Sequence, residues 1–570
     1  MQKTDLSVDE LVGMISRGEL RLPQMQRRYV WRASRVRDLL DSLYRGYPSG
    51  AILVWETDDE ELSRDMSVDQ ASSKFSTQKL LLDGQQRLTS LSAVLRGLPV
   101  DVKHRKKPIE ILFNLEHPED IDEVTEVDDE QSDDDPGDDL DDDLDEDGDD
   151  ESVQEKLSRL TFVVSSRATA SLPQWLSVSD VMTMSDADLI RSAGVTDWDD
   201  PRFQKYSDRI KKLKGIRNYM YVMHILERNL SYEEVAEIFV RVNSLGVKLR
   251  SSDLALAQIT ARWRDLLPLL DDAQKRYAQE GFDLDHGALV RAMVVFSSGQ
   301  SRFKTVGSIS TERLRDGWKR AQIGLDFAIP FLKENAGIEH MKLLSSPFFL
   351  LPVAWLFEKS GGKISADEER GLLEWVLVGS GRGYYSGSAE SKLDADLNRI
   401  SRGEGSSGLV ANLDQAFGRL RFNAGDITGR GTKSGLYALT FLALRAGGAK
   451  DWDTGMAISL NHKSKQHAIQ SHHIFPRAAV RGRYDRSEIN EIANRGFIGG
   501  KTNRRIGSKK PTDYLPAIAS KRGPAALESQ CVPTDPALWE LERYQDFLAY
   551  RRERIVARLN EWIDGLSGRR

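Results

Sequence analysis

The chain has 570 residues, 40% hydrophobic and 29% charged, with a formal net charge of -8, a length that exceeds one hydrophobic core and predicts two or three domains. The longest apolar run, Pro347 to Phe357, is short and contains Pro352, which excludes a membrane span, and the opening Gln2-Lys3-Thr4-Asp5 has no signal-peptide apolar core. A single cysteine, Cys531, excludes a disulfide framework and a CxxC zinc site, so a reducing cytoplasm is the expected location.

The first element expected is a helix: Ser7-Val8-Asp9-Glu10 has the form of a capping box, and Leu11, Met14 and Ile15 give its apolar face. Leu22 to Trp31 follows, then a helix through Leu39, Leu40 and Leu43. Tyr47-Pro48-Ser49-Gly50 reads as a turn, Ala51 to Trp55 as a buried strand, and Lys79 to Leu82 as another strand. That strand ends at Asp83-Gly84-Gln85-Gln86-Arg87, before a helix with Leu88, Leu91 and Leu95 on one face. Between Asp128 and Glu151 there are 17 acidic residues and no basic one, and setting them aside leaves the remainder at +9. Such a block predicts a solvated, disordered insertion, here placed at 118–155; the sharper reading is a polyanion that occupies a basic DNA groove until DNA displaces it. The chain resumes with a strand-like Leu160 to Val164, and helices are expected over Ile210 to Leu226 and Glu233 to Val240. Helical patterns dominate from about 262 to 420, with Gly/Ser-rich breaks near 298–301 and 403–408. From 434 on the pattern is a helix, a polar loop, a histidine-rich fragment and a helical tail ending at Trp562.

Three N-terminal segments carry chemistry. At Asp83-Gly84-Gln85-Gln86-Arg87 a helix start with an adjacent glycine and arginine suits an anion, and Asp83 suits a metal or a water. The same residues equally fit a capping box, with Asp83 as N-cap and Gln86 reaching back. Gln26-Arg27-Arg28-Tyr29-Val30-Trp31 mixes cations, an amide and aromatics, a set that suits phosphate contacts and stacking; the alternative is buried aromatics beside solvated arginines. Phe239 to Gly246, with Leu249 and Asp253, reads as a helix end and a new cap.

Four of the nine histidines lie between 462 and 473 (His462, His467, His472, His473). The pair His472-His473 sits in an apolar frame, Ile469 to Phe475, and Asn494 and Asn503 follow in a basic stretch. An imidazole pair with a later side-chain oxygen can hold one divalent metal and activate one water. The alternative is a pair of satisfied structural histidines. Ile469 to Phe475 is expected as a strand, Arg495 to Ile498 as its hairpin partner, and Lys501 to Ile506 as the start of a helix.

The N-terminal pattern resembles the N-terminal domain of GmrSD-type restriction endonucleases, whose core is similar to the ParB and sulfiredoxin fold. It rests on Pro23, Gln26, Arg27, Tyr29 and Trp31; Pro48 and Gly50; Asp83 to Arg87; and Phe239, Arg241, Asn243, Gly246, Leu249 and Asp253. The resemblance implies binding and hydrolysis of a nucleoside triphosphate, GTP or ATP, and a part in sensing modified DNA. Nucleotide contacts would come from Gln26, Arg27, Asp83, Gly84, Gln85, Gln86 and Arg87, with Asp83, Gln86 and Arg87 in hydrolysis and Tyr29 against DNA.

The histidine fragment resembles the C-terminal His-Me finger (HNH-like) nuclease domain of the same family, through Gly455, His472, His473, Pro476, Asn494, Asn503, Pro511 and Tyr514. The resemblance implies His473 as general base, His472 and Asn503 as ligands of Mg²⁺ or Mn²⁺, and Asn494 as the residue that fixes the loop and orients His473. Arg504, Arg505, Lys509 and Lys510 would contact phosphates. Many such fingers have a carboxylate where this chain has His472, and a nitrogen ligand there also admits Ni²⁺ or Zn²⁺.

The expected fold is therefore multidomain α+β. It comprises a ParB/sulfiredoxin-like nucleotide-binding and DNA-sensing domain over 1–265, a helical connecting region over 266–425, and a ββα-metal finger within a helical domain over 426–570. The expected function is a modification-dependent endonuclease of the type IV restriction class, defending against phage or other foreign DNA. Its partners would be modified double-stranded DNA, a nucleoside triphosphate and, optionally, a second copy of the chain, with no membrane. The alternative is a nucleotide-switched, ParB-like DNA-binding protein with a degenerate finger.

Overall fold

The computed structural model describes residues 2–23, 31, 33–57, 63–64, 66, 68, 78–97, 110–118, 159–165, 167–170, 172–245, 251–460 and 468–568. The expectations for Gln26, Arg27 and Tyr29, for Gly246 and Leu249 and for the acidic insertion fall outside these residues, as do His462 and His467. The chain divides into two compact units, with the break between Leu267 and Pro268. Among the described residues no helix is long and apolar enough to cross a membrane.

The first unit is mixed α/β. Its strands are β1 (Gln2–Ser7), β2 (Leu20–Pro23), β3 (Ile52–Thr57), β4 (Ser63–Arg64), β5 (Gln78–Asp83), β6 (Ile111–Asn114), β7 (Phe162–Val164), β8 (Trp175–Ser177) and β9 (Met220–Leu226). Six form a mixed sheet in the order β1-β9-β3-β5-β2-β4. In it β3 runs parallel to β9, with Leu53 opposite His224, and antiparallel to β5, with Val54 opposite Leu81. Side chains alternate across a strand, so these strands feed two cores. Ile52, Val54 and Leu81 join Leu11, Ile15, Leu40, Leu88 and Leu91 on one face. Leu53, Trp55, Leu80 and Leu82 join Val235, Phe239 and Ala257 on the other. A strand covered on both faces needs successive apolar residues, which is why 51–55 reads as an unbroken run.

A smaller antiparallel sheet has the order β7-β6-β8. Ile111 of β6 faces Val164 of β7, so the acidic insertion joins two paired strands. One sequence expectation is corrected here. The stretch 210–226 is not one helix: the helix Pro201–Lys214 ends, a 3₁₀ turn covers Gly215–Asn218, and β9 follows. Tyr221, Met223 and Ile225 are buried on alternate positions of β9, a strand period that β1 completes by pairing along its whole length.

The second unit is mainly helical. The helix Ala366–Gly381 is buried continuously from Leu372 to Gly381, as expected of a helix at the centre of a bundle. A second correction concerns 403–408, expected as a Gly/Ser-rich break: Gly403 makes the turn, and the helix Gly405–Phe417 already covers the serines. Near the end of the unit, β10 (Ile469–His473) and β11 (Arg495–Gly499) form an antiparallel pair, with His472 opposite Gly496 and His473 opposite Arg495. The helix Gly500–Ile506 follows β11 without a loop.

Candidate active site

In the first unit, Asp83 ends β5, Gly84 turns the chain at φ 96°, and the helix Gln85–Arg96 begins. The capping-box alternative is not realised: the N-cap is Gly84, and no described side chain caps this helix. The Asp83 carboxylate instead accepts from Arg87 Nη2 at 3.1 Å, and Gln86 Oε1 accepts from the Trp31 backbone N–H at 3.1 Å. Arg87 also donates to the carbonyls of Ser49 and, at 2.8 Å, Ala51. Its side chain is only 13% exposed, whereas that of Asp83 is 40% exposed. Arg87 thus clamps the 49–51 turn to the helix start, and Asp83 keeps an open side. Gln85 is buried.

The clamp requires glycine at position 50. Gly50 has φ 92°, and a Cβ there would lie 2.5 Å from Arg87 Nη1. Gly50→Ala should therefore strain the backbone and displace the guanidinium, destabilising the first unit by roughly 1–3 kcal/mol. Thermal unfolding checks this, and an unchanged melting curve would contradict the clamp.

In the second unit, the hairpin brings His472 and His473 to opposite faces of β10. His472 is 5% exposed. Its Nδ1 lies 2.8 Å from Asn503 Oδ1, and Asn503 Nδ2 donates to Gln470 Oε1 at 2.8 Å. The Trp452 and Tyr514 rings meet the imidazole edge-on, and Gly496, directly opposite, leaves the space that the indole fills. His472 Nε2 is buried with no hydrogen-bond partner among the described residues. Burial, followed by the Arg495 charge, lowers the His472 pKa to about 4 against the opposing effect of Asn503.

His473 Nε2 lies 3.1 Å from Asn490 Oδ1 and 3.3 Å from Arg477 Nε, and its Nδ1 lies 3.4 Å from Arg495 Nη1. Burial and then the two arginines push its pKa down to about 3. Both imidazoles are neutral near pH 7, the form that accepts a proton or binds a metal.

The pair His472 Nδ1 and Asn503 Oδ1 fits a hydrated divalent cation. Two neighbouring ligands of an octahedral ion, each at about 2.1 Å, lie about 3 Å apart, close to the distance found. Among the described residues no group of three or more His, Cys, Asp or Glu side chains converges on one point. The remaining positions of such an ion would fall to water and substrate oxygens, as is usual for Mg²⁺.

Asn494 and two residues that escaped sequence reading, Asp451 and Arg551, support the hairpin. Asn494 is fully buried, accepts from Phe475 N at 2.9 Å, and donates to the carbonyls of Phe475 and Ile489. It ties the loop to the end of β10 but does not touch His473, whose own partner is Asn490. Asp451 Oδ2 accepts from Gly499 N at 2.7 Å while its Oδ1 accepts from Thr454 and Thr502, bonds that outweigh burial and lower its pKa. Arg551 is fully buried and donates to the carbonyls of Ala493, Arg495, Gln530 and Cys531. Of the four expected DNA contacts, Arg505 is paired with Asp453, which Lys521 also reaches. Arg504, Lys509 and Lys510 have exposed side chains on or after the helix Gly500–Ile506.

Residues 8–260 match the family model described as GmrSD restriction endonuclease, N-terminal domain. This match lies within the first unit and is a similarity to that domain; the histidine hairpin lies outside it. The chain is also 23% identical to an uncharacterized protein of Methanocaldococcus jannaschii, over 89% of this chain and 85% of that protein.

Proposed function

We propose that this protein is a modification-dependent DNA endonuclease, in which the first unit binds a nucleoside triphosphate and senses DNA and the hairpin of the second unit hydrolyses a phosphodiester. The observation that carries this reading is the hairpin itself. It holds a neutral His473 beside two arginines and, at the adjacent position, a His472–Asn503 pair of metal-binding type. Together with the helix Gly500–Ile506 it forms a ββα arrangement, which supports reading it as a His-Me finger.

In this reading His473 accepts the proton of the attacking water. Arg477 and Arg495 lie beside the imidazole, where a scissile phosphate would find charge-assisted donors. His472 and Asn503 would hold the divalent cation. When bound, that cation supplies a positive charge to the phosphate and the leaving oxygen. Arg504, Lys509 and Lys510 would steady the flanking backbone through sequence-independent phosphate contacts.

At the Gly84 turn, the start of the helix Gln85–Arg96 would receive a phosphate, GTP or ATP being the candidates. Asp83, with its open side, would orient a hydrated cation or a water, beside Gln85 and Gln86. Gln26, Arg27 and Tyr29 would complete the nucleotide and DNA contacts of this unit. Hydrolysis there would gate cleavage.

The two histidine roles predict different metal responses. His472→Ala should abolish plasmid nicking with Mg²⁺ and recover part of it with Mn²⁺, because Mg²⁺ demands near-ideal geometry and sheds water reluctantly, so it suffers most from an incomplete site. His473→Ala should recover with neither. Equal loss in both variants with every metal tested would contradict the division of roles.

A further inference from the structure

The orientation of His473 is set by a residue that the motif does not contain. β-sheet register places Arg495 opposite His473, and the short helix Arg486–Ile489 ends on Asn490. Arg495 is buried, and its Nη2 lies 3.3 Å from Asn490 Oδ1 while its Nη1 lies 3.4 Å from His473 Nδ1. These contacts are long for hydrogen bonds, but their sense is unambiguous, because a guanidinium has donors and no acceptor.

The amide atom facing Arg495 must then be the oxygen. That same oxygen lies 3.1 Å from His473 Nε2, so Nε2 must carry the ring proton. Nδ1 is left with the lone pair, which is also the only state in which it can face Arg495 Nη1. Arg477 Nε approaches Nε2 at 3.3 Å and pulls the other way. The opposite tautomer, however, would set an Nδ1–H against the Arg495 guanidinium and two acceptors, Nε2 and Asn490 Oδ1, against each other. Two well-matched contacts outweigh one.

We propose that Asn490 is a positioning residue for His473: with Arg495 fixing its amide, it holds the imidazole in the Nε2–H tautomer and presents the Nδ1 lone pair. The consequence for catalysis rests on the nuclease reading; the tautomer itself does not. A motif search centred on His472, His473, Asn494 and Asn503 passes over Asn490, since it sits in the loop four residues before the asparagine that such a search selects.

The test is nitrogen NMR of the full-length protein carrying ¹⁵N-labelled histidine, with the His473 signals assigned by their loss in His473→Ala. Wild-type protein should show His473 as the Nε2–H tautomer. Asn490→Ala should shift it toward a mixture, and Asn490→Asp, which keeps an oxygen acceptor for both neighbours, should restore the wild-type pattern. In plasmid nicking, Asn490→Ala should lower kcat by about 10–100-fold with KM within about twofold, the usual scale for removing an orienting partner, and Asn490→Asp should recover most of kcat. An Nδ1–H tautomer in the wild type, or an unchanged tautomer in a folded Asn490→Ala, overturns the inference. If Asn490→Ala does not fold, the wild-type and Asn490→Asp spectra still decide it. A tautomer that responds as stated in a protein that cuts no DNA supports the inference and removes the nuclease reading alone.

Discussion

His473→Ala should lower the rate of metal-dependent plasmid nicking by about 10²–10⁴-fold, the range of a lost general base, equivalent to roughly 3–5 kcal/mol of barrier. DNA affinity should hold within about twofold, because the flanking cations Arg477 and Arg495 remain in the variant. Among the described residues the side-chain hydrogen-bond partners of His473 are these arginines and Asn490. Triphosphate turnover should be unaffected, since the Gly84 turn belongs to the other unit. Nicking rates, binding isotherms and phosphate release on one preparation check all three. Unchanged nicking by the variant would remove His473 from the chemistry.

The second large effect is on stability. Arg551 brings four backbone carbonyls from two separate segments, 493–495 and 530–531, onto one side chain within a fully buried setting. Burial pulls its pKa down to about 10, yet it remains a cation at neutral pH. Arg551→Ala removes the guanidinium donor from each of those carbonyls in a fully buried setting. The expected cost is roughly 3–5 kcal/mol, read as a fall of about 10 °C in the melting of the second unit. Arg551→Lys should recover only part of it, having one compact ammonium in place of a planar fork. Melting within about 1 °C of wild type would contradict the role. Because Ala493 and Arg495 flank Asn494, the variant should also lose nicking before it unfolds.

The parts legible in the sequence were those governed by local pattern. The run 51–55 gave a strand because both faces of β3 are buried, and the Ser7–Glu10 capping box gave the first helix, where Ser7 Oγ and Glu10 do pair. The hairpin expected at 469–475 and 495–498 lies at Ile469–His473 and Arg495–Gly499. β1 was invisible because it is short, polar and half-exposed, a strand only through its pairing with β9. β9 itself was hidden by the preceding helix, whose apolar spacing runs on to Ile216 before the period changes.

The same divide holds at the sites. His472 and Asn503 are 31 residues apart, but both belong to a motif with recognisable spacing. Asn490, Asp451 and Arg551 reach the hairpin by tertiary folding alone, from an irregular loop, a turn before β10 and a helix more than fifty residues downstream. No periodicity or motif marks them. Arg87 shows the reverse case: the motif selected it for phosphate, while in the fold its guanidinium holds Ser49 and Ala51.

The central claim is best tested by cleavage of matched plasmid DNAs, unmodified, glucosylated or phosphorothioated, each with Mg²⁺ or Mn²⁺ and with GTP, ATP or no nucleotide. A modified substrate should be nicked or cut faster than the unmodified one, in a manner that depends on the nucleotide. Equal cleavage of every DNA with and without nucleotide, or binding with no cleavage under any metal, would contradict it.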